Sequence, residues 1–290
     1  MSRLPLTFVH GCRSGSTLLM QLLAQNPANH CTPTNDLALL FANVQNQWTA
    51  MEGFRAQGLE SLVPRMRGAM RGLLTGFYAD EFATGRAVFD KSRDWLKQIE
   101  LVEEVLEQRA TVIVCIRDIR DMVASLETLY RKDQITKPSR NVEQQINGQT
   151  CEDRCKQYLA KDAMLGMFIS SIKDCFEKQL DDRLIIVPYH VLVTEPRETI
   201  AKIHADCGLA PFFCNPSNVE NVTHENDEVH GRPFHVVRPT VDTSAVGRWQ
   251  TVLPPDVAAW LDAEYPSVQQ LAHGPYRSCR DGKVPHADVA

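Results

Sequence analysis

Val9-His10-Gly11-Cys12-Arg13-Ser14-Gly15-Ser16-Thr17 is the stretch that decides the fold. The apolar run from Leu4 to Val9 leads into it and reads as a buried strand. Leu18 to Ala24 follows directly and reads as the first turns of a helix. A strand, a glycine-containing turn and a helix start in succession build a cradle for phosphate. Glycine lets the backbone come close to a ligand, and the free N–H groups at the helix N-terminus point at an anion. Gly11 and Gly15 supply that freedom around Cys12, and the hydroxyls of Ser14, Ser16 and Thr17 add donors. Arg13 brings a fixed charge on a planar fork.

A loop that cleaves nucleoside triphosphates would end in Gly-Lys-Ser/Thr, with the lysine on the β and γ phosphates and the hydroxyl on magnesium. Ser16 stands where that lysine would be. The loop thus reads as a phosphate binder that does not need magnesium-assisted triphosphate cleavage.

Outward from this loop, Arg86–Asp90, Thr111–Ile116 and Leu184–Tyr189 read as further strands. The second is a continuous β-branched run suited to a parallel sheet covered on both faces. Helices are expected through 37–83, 96–108 and 122–129, then one long helix over 151–178. Another starts at Glu195-Pro196, and a last one at Pro254-Pro255-Asp256. His30–Asp36 and the stretch 131–150 read as polar loops, 208–243 is irregular, and the tail after His273 is loose. Strands alternating with helices predict an α/β fold, a three-layer sandwich with a mainly parallel central sheet flanked by helices. No internal repeat is visible, so residues 1–290 read as a single domain.

In such sheets ligands lie at the carboxyl ends of the strands. Gly11–Thr17, Asp90-Lys91, Arg117–Arg120 and Tyr189 each follow an expected strand, which gathers four polar sets on one edge. A formal net charge of −5 gives no support for nucleic-acid binding, so an anionic ligand must be held by local arginines. No apolar run approaches the ~20 residues that span a bilayer, and the chain enters its first strand without a signal peptide. The nine cysteines are an odd, scattered set that fits reduced thiols in a cytoplasmic enzyme. Cys151 and Cys155 share a helix face but lack a second pair, so no metal site is expected.

Two of these sets together resemble the sulfotransferases that use 3′-phosphoadenosine 5′-phosphosulfate (PAPS). Gly11-Cys12-Arg13-Ser14-Gly15-Ser16-Thr17-Leu18-Leu19 is similar to their 5′-phosphosulfate loop. Arg117-Asp118-Ile119-Arg120-Asp121 with Ser125 is similar to their 3′-phosphate motif, in which the arginine and a serine eight positions on bind that phosphate. Within the family the chain looks most like the tyrosylprotein sulfotransferase branch and its soluble bacterial relatives. The resemblance implies a P-loop-like fold, transfer of the sulfuryl group to an acceptor hydroxyl with PAP as product, and no metal. It further implies that Lys91 contacts the transferring group and that Tyr189, in Tyr189-His190-Val191-Leu192, contacts phosphate or ribose. Arg238-Pro239-Thr240 with Arg248-Trp249 resembles a C-terminal segment whose basic residue reaches the 3′-phosphate and whose tryptophan stacks on adenine. Insertions at 37–83, 131–150 and 208–243 then read as acceptor walls.

The base is where the chain departs from the branch it resembles. Thr34 stands at the position of the branch's catalytic glutamate, and threonine is no base at neutral pH. Asp36 is the nearest carboxylate. A base from elsewhere remains open, with His10 as one candidate, and so does an acceptor that needs none. His224, His230 and His235 crowd an acidic stretch, Glu225–Glu228, that could form part of an acceptor wall. The competing functions are a P-loop nucleotide kinase or NTPase, disfavoured by Ser16, and a non-catalytic PAP- or PAPS-binding protein, disfavoured by Lys91. Acceptor identity and oligomeric state are not encoded in any motif.

Overall fold

The computed structural model describes residues 3–136, 146, 148–229 and 235–279. The opening apolar run forms β1 (Leu6–His10), buried at every residue. Among the described residues β1 sits at the middle of a five-stranded sheet. The order is β2 (Asn29–Thr34), β3 (Ala87–Lys91), β1, β4 (Val112–Ile116) and β5 (Leu184–Pro188). Every pairing within the sheet is parallel. The chain leaves β1 first toward β2 and β3, then crosses back to β4 and β5, so the loop after β1 lies at the switch point where a crevice opens.

Strand residues alternate between two cores, as a period of two requires. Leu6, Phe8, Val88, Val112, Val114, Leu184 and Ile186 face one side. There they meet α2 (Leu37–Ala50), α4 (Leu59–Phe77), α6 (Ile99–Leu106), α7 (Ile119–Thr136) and α9 (Met164–Glu177). Val9, Phe89, Ile113, Cys115, Ile185 and Val187 face α1 (Ser16–Ala24) and α11 (Pro196–Asp206) on the other. Both faces are covered, which makes the expected three-layer sandwich. The same alternation sends Asp90 and Lys91 to opposite sides of β3. Asp90 accepts from Trp95 Nε1 at 2.9 Å and from the Tyr78 hydroxyl, tying the helices of 37–83 to the sheet. Among the described residues no helix is long and apolar enough to cross a membrane.

Four expectations are corrected. The stretch His30–Asp36 is not a loop, because most of it belongs to β2. An edge strand bonds on one side only and needs no apolar run, and here the Thr32 hydroxyl accepts the Lys91 N–H at 2.9 Å. The long helix over 151–178 is two helices, α8 (Cys151–Tyr158) and α9. The turn between them brings the Ala160 carbonyl against Gly166, where a side chain would collide. The helix over 122–129 is longer at both ends, as α7. The helix from Pro255, α12 (Pro255–Glu264), is followed by α13 (Pro266–His273), which starts on a second proline. Much of the expected loop 131–150, His230 and the last eleven residues lie outside the described residues.

Candidate active site

The loop between β1 and α1 has the backbone its sequence demands. Gly15 adopts φ 92° and caps α1, and Arg13, with φ 52°, is also left-handed. Left-handed residues in a tight turn curl successive N–H groups toward one centre, a concavity that binds anions. A Cβ on Gly11 would meet Ser16 Cβ at 2.7 Å, and one on Gly15 would meet the Tyr189 ring at 2.5 Å. Both contacts exclude any larger residue. Ser14 Oγ is buried and without a hydrogen-bond partner among the described residues. A buried donor left open within such a loop suits a phosphate oxygen.

The second motif lies beside it. Arg117 follows β4, and its guanidinium lies over the Tyr189 ring, 4.5 Å from the centroid. It donates to the Ala245 carbonyl and approaches Asp121 Oδ2 at 3.5 Å, while Arg117 Nε has no partner among the described residues. Nearly two turns into α7, Ser125 Oγ accepts from Arg13 Nη2 at 2.8 Å and Nε at 3.1 Å. Asp121 also takes the N–H groups of Gly247 and Trp249 at 2.8 and 2.9 Å. That clamp fixes the 3₁₀ turn Arg248–Thr251 beside the site.

Lys91 ends β3 with 5 % of its side chain exposed and points toward α1, 3.3 Å from Thr17 Oγ1. Burial pushes its pKa down to about 8, against the pull of Glu225 Oε2 at 3.8 Å. Glu225 arrives from the irregular segment after α11, and α1 holds that segment in place. Gln21 donates to Thr223 Oγ1 at 2.6 Å and accepts the Val222 N–H at 2.7 Å. Gln25 accepts the Asn215 N–H at 2.6 Å and donates to the Asn218 carbonyl at 3.0 Å. Glu225 Oε2 accepts the Thr34 N–H at 3.1 Å, and Oε1 lies 3.2 Å from His235 Nδ1. Asp227 Oδ1 approaches the same Nδ1 at 2.6 Å, and His235 Nε2 is 3.4 Å from Thr34 Oγ1.

Thr34, Lys91, Glu225 and His235 line one cavity of about 420 Å³. Gly11, Cys12, Arg13, Gly15, Ser16 and Thr17 meet there with Lys91, Arg117, Ser125, Tyr189 and Arg248. Arg13, Lys91, Arg93, Arg117, Arg238 and Arg248 make it cationic although the chain is net negative. Asp36 is exposed at the start of α2 and does not line the cavity. His10 packs its ring flat on Phe168 at 5.0 Å, where burial pushes its pKa down to about 3. Trp249 borders a smaller neighbouring cavity of about 230 Å³, with the Arg120 guanidinium 4.3 Å over its ring. Arg93 had no site role in the sequence, and Glu225 and Asp227 appeared there only within a stretch read as acceptor wall, with nothing to bring them to Lys91 and Thr34. Arg93 stands two residues past Lys91 and was within reach of the strand-end rule. The two acids lie more than 130 residues along the chain from Lys91, with no periodicity to place them.

A profile of the sulfotransferase family matches residues 5–213, which spans the phosphate loop, Lys91, Arg117, Ser125 and Tyr189. No curated protein sequence matches. Two solved structures share the fold. The sulfotransferase domain of the Synechococcus PCC 7002 olefin synthase is 18 % identical with a TM-score of 0.51, covering 90 % of this chain and 94 % of its own. The sulfotransferase domain of the curacin biosynthetic pathway is 15 % identical with a TM-score of 0.55, covering 91 % and 99 %. With a family match over most of its length and a phosphate loop facing an arginine–serine pair across one cationic cavity, this chain belongs to the sulfotransferase family.

Proposed function

We propose that this chain moves the sulfuryl group of PAPS to an acceptor hydroxyl by in-line displacement without a metal ion. The observation that carries this reading is the meeting of both phosphate motifs in one cavity, with Lys91 between them and the irregular segment. Arg13 and the N–H groups of 11–17 hold the 5′-phosphate and neutralise the bridging oxygen as it gains charge. Arg117 and Ser125 hold the 3′-phosphate, and Tyr189 supports the arginine from below. Lys91 stabilises the sulfuryl oxygens, whose charge spreads in the transition state as in phosphoryl transfer. Arg248 reaches the same nucleotide from the cavity rim, and Trp249 borders the space beside it.

These cations meet the leaving phosphate's charge, so a divalent ion has no task that the chain leaves open. Calorimetric titration with PAP, beside ATP with magnesium, tests the reading on wild type and Arg117→Ala. Metal-free binding of PAP that is lost in Arg117→Ala supports it. Binding of ATP with magnesium in place of PAP overturns it.

A further inference from the structure

We propose that His235 is the general base of the transfer, its Nε2 taking the proton of the acceptor hydroxyl while Asp227 fixes the ring. The inference rests on the PAPS-transfer reading above. It answers the question left by Thr34, which stands where the tyrosylprotein branch that the chain resembles carries a glutamate.

Hydrogen bonding settles the tautomer. Asp227 is a carboxylate and can only accept, so His235 Nδ1, at 2.6 Å, carries the proton and donates it. In the neutral imidazole Nε2 then carries the accepting lone pair. That lone pair lies 3.4 Å from the Thr34 hydroxyl, on a residue that lines the cavity opposite Lys91 in the β2–β3 register. Asp227 Oδ2 also accepts the His235 backbone N–H at 3.0 Å, so side chain and main chain are fixed together. Thr34 is thus beside the base and is not the base. The base comes from a segment more than 200 residues later in the chain.

Glu225 is the competing group, and its contacts assign it to positioning. Its Oε2 accepts the Thr34 N–H and faces the Lys91 ammonium, while Oε1 faces His235 Nδ1. It joins the cation at the reacting centre to the imidazole. Among the described residues, Lys91, Glu225 and Asp227 are charged groups that face His235. Burial and Lys91 hold its pKa below the ordinary histidine value, so the ring is neutral and able to accept near pH 7.

The step balances. An oxygen lone pair of the acceptor forms the new S–O bond as His235 Nε2 takes the acceptor's proton. The S–O bond to the 5′-phosphate breaks, and its electron pair stays on that phosphate, next to Arg13 and Lys91. The imidazolium then returns its proton to solvent.

The test uses the full chain with PAPS and three acceptor probes: a primary alcohol, phenol and 4-nitrophenol. His235→Asn keeps an amide donor for Asp227 and removes the basic nitrogen. We expect it to slow transfer to the alcohol ~10²-fold or more. The loss shrinks toward 4-nitrophenol, which ionises unaided, and calorimetric PAP affinity is unchanged. Asp227→Asn shifts the His235 imidazole titration, followed by NMR, to lower pH because a neighbouring negative charge is gone. Wild-type rates in His235→Asn with all three probes overturn the assignment. So does Glu225→Gln if it removes the acid limb of the rate profile while His235→Asn retains it. Absence of PAPS turnover by wild type, with PAP still bound, overturns the transfer reading itself.

Discussion

Arg13 donates two hydrogen bonds to Ser125 Oγ, at 2.8 and 3.1 Å, so the two phosphate motifs touch across 112 residues of chain. The loop at 11–17 and the Arg117–Ser125 stretch therefore belong to one site. The Arg13 guanidinium is already held in place by the serine. Little side-chain freedom remains to be lost when nucleotide binds.

In the proposed function Ser125→Ala removes a donor for the 3′-phosphate, and it also removes the acceptor of the two Arg13 hydrogen bonds. We expect PAP to bind about tenfold or more weakly, from a charge-assisted hydrogen bond worth about 1.5–3 kcal/mol. Adenosine 5′-phosphosulfate, which lacks the 3′-phosphate, serves as the control in the same calorimeter. Equal losses for both nucleotides would show that Ser125 acts on the loop through Arg13 and not on the 3′-phosphate.

Gly15 is the point where the phosphate loop, Tyr189 and Arg117 stack. A methyl group there would meet Tyr189 Cδ2 at 2.5 Å, on a residue already at φ 92°. The left-handed backbone alone costs a non-glycine residue about 1–2 kcal/mol. Gly15→Ala must also push Tyr189 from beneath Arg117. Thermal unfolding is expected to shift down and PAP affinity to fall by at least tenfold, near 1.4 kcal/mol. A Gly15→Ala protein with wild-type PAP affinity would mean that the ring does not support the arginine.

Lys91 and His235 predict a bell-shaped pH profile for kcat/KM toward PAPS, which reports groups of the free enzyme. His235 must be neutral, and burial together with Lys91 lowers its pKa below 6.5, so the rate climbs as pH rises through that region. Lys91 must be charged, and burial pushes it down to about 8, so the rate falls as pH rises further. Lys91→Arg carries a charge that persists at every pH the protein tolerates. The alkaline limb should disappear in that variant while the acid limb stays. An unmoved alkaline limb would assign it to another group.

What the sequence exposed and what it concealed divide along physical lines. Thr111–Ile116 and Leu4–Val9 were visible as the strands β4 and β1 because both faces of the sheet are covered and their runs are mainly apolar. The loop at 11–17 was visible because glycine and hydroxyl residues stand between an apolar strand and a helix start. β2 was hidden because an edge strand with Asn29, Thr32 and Thr34 carries no apolar run. The meeting of His235 and its acidic neighbours with Thr34 was hidden for a different reason. Glu225, Asp227 and His235 sit on chain without regular secondary structure, placed by side-chain hydrogen bonds that leave no period in the sequence.

Gln21 is the residue that should reveal this dependence. It is fully buried on α1, donates to Thr223 and Asn221, and accepts the Val222 and Thr223 N–H groups at 2.7 and 3.3 Å. Thr223 is two residues before Glu225, so Gln21 sets where the Glu225 carboxylate meets Lys91 and Thr34. Gln21→Met fills similar volume and leaves those N–H groups unpaired, at a cost of about 1–3 kcal/mol for a buried donor. The phosphate loop keeps its own contacts. The expected result is a lower unfolding temperature and a kcat at least tenfold down, with PAP affinity held. A drop in PAP affinity equal to the drop in kcat would place the effect of Gln21 on α1 and the phosphate loop. An unchanged kcat would mean that the segment bearing Glu225 and His235 finds its position without α1.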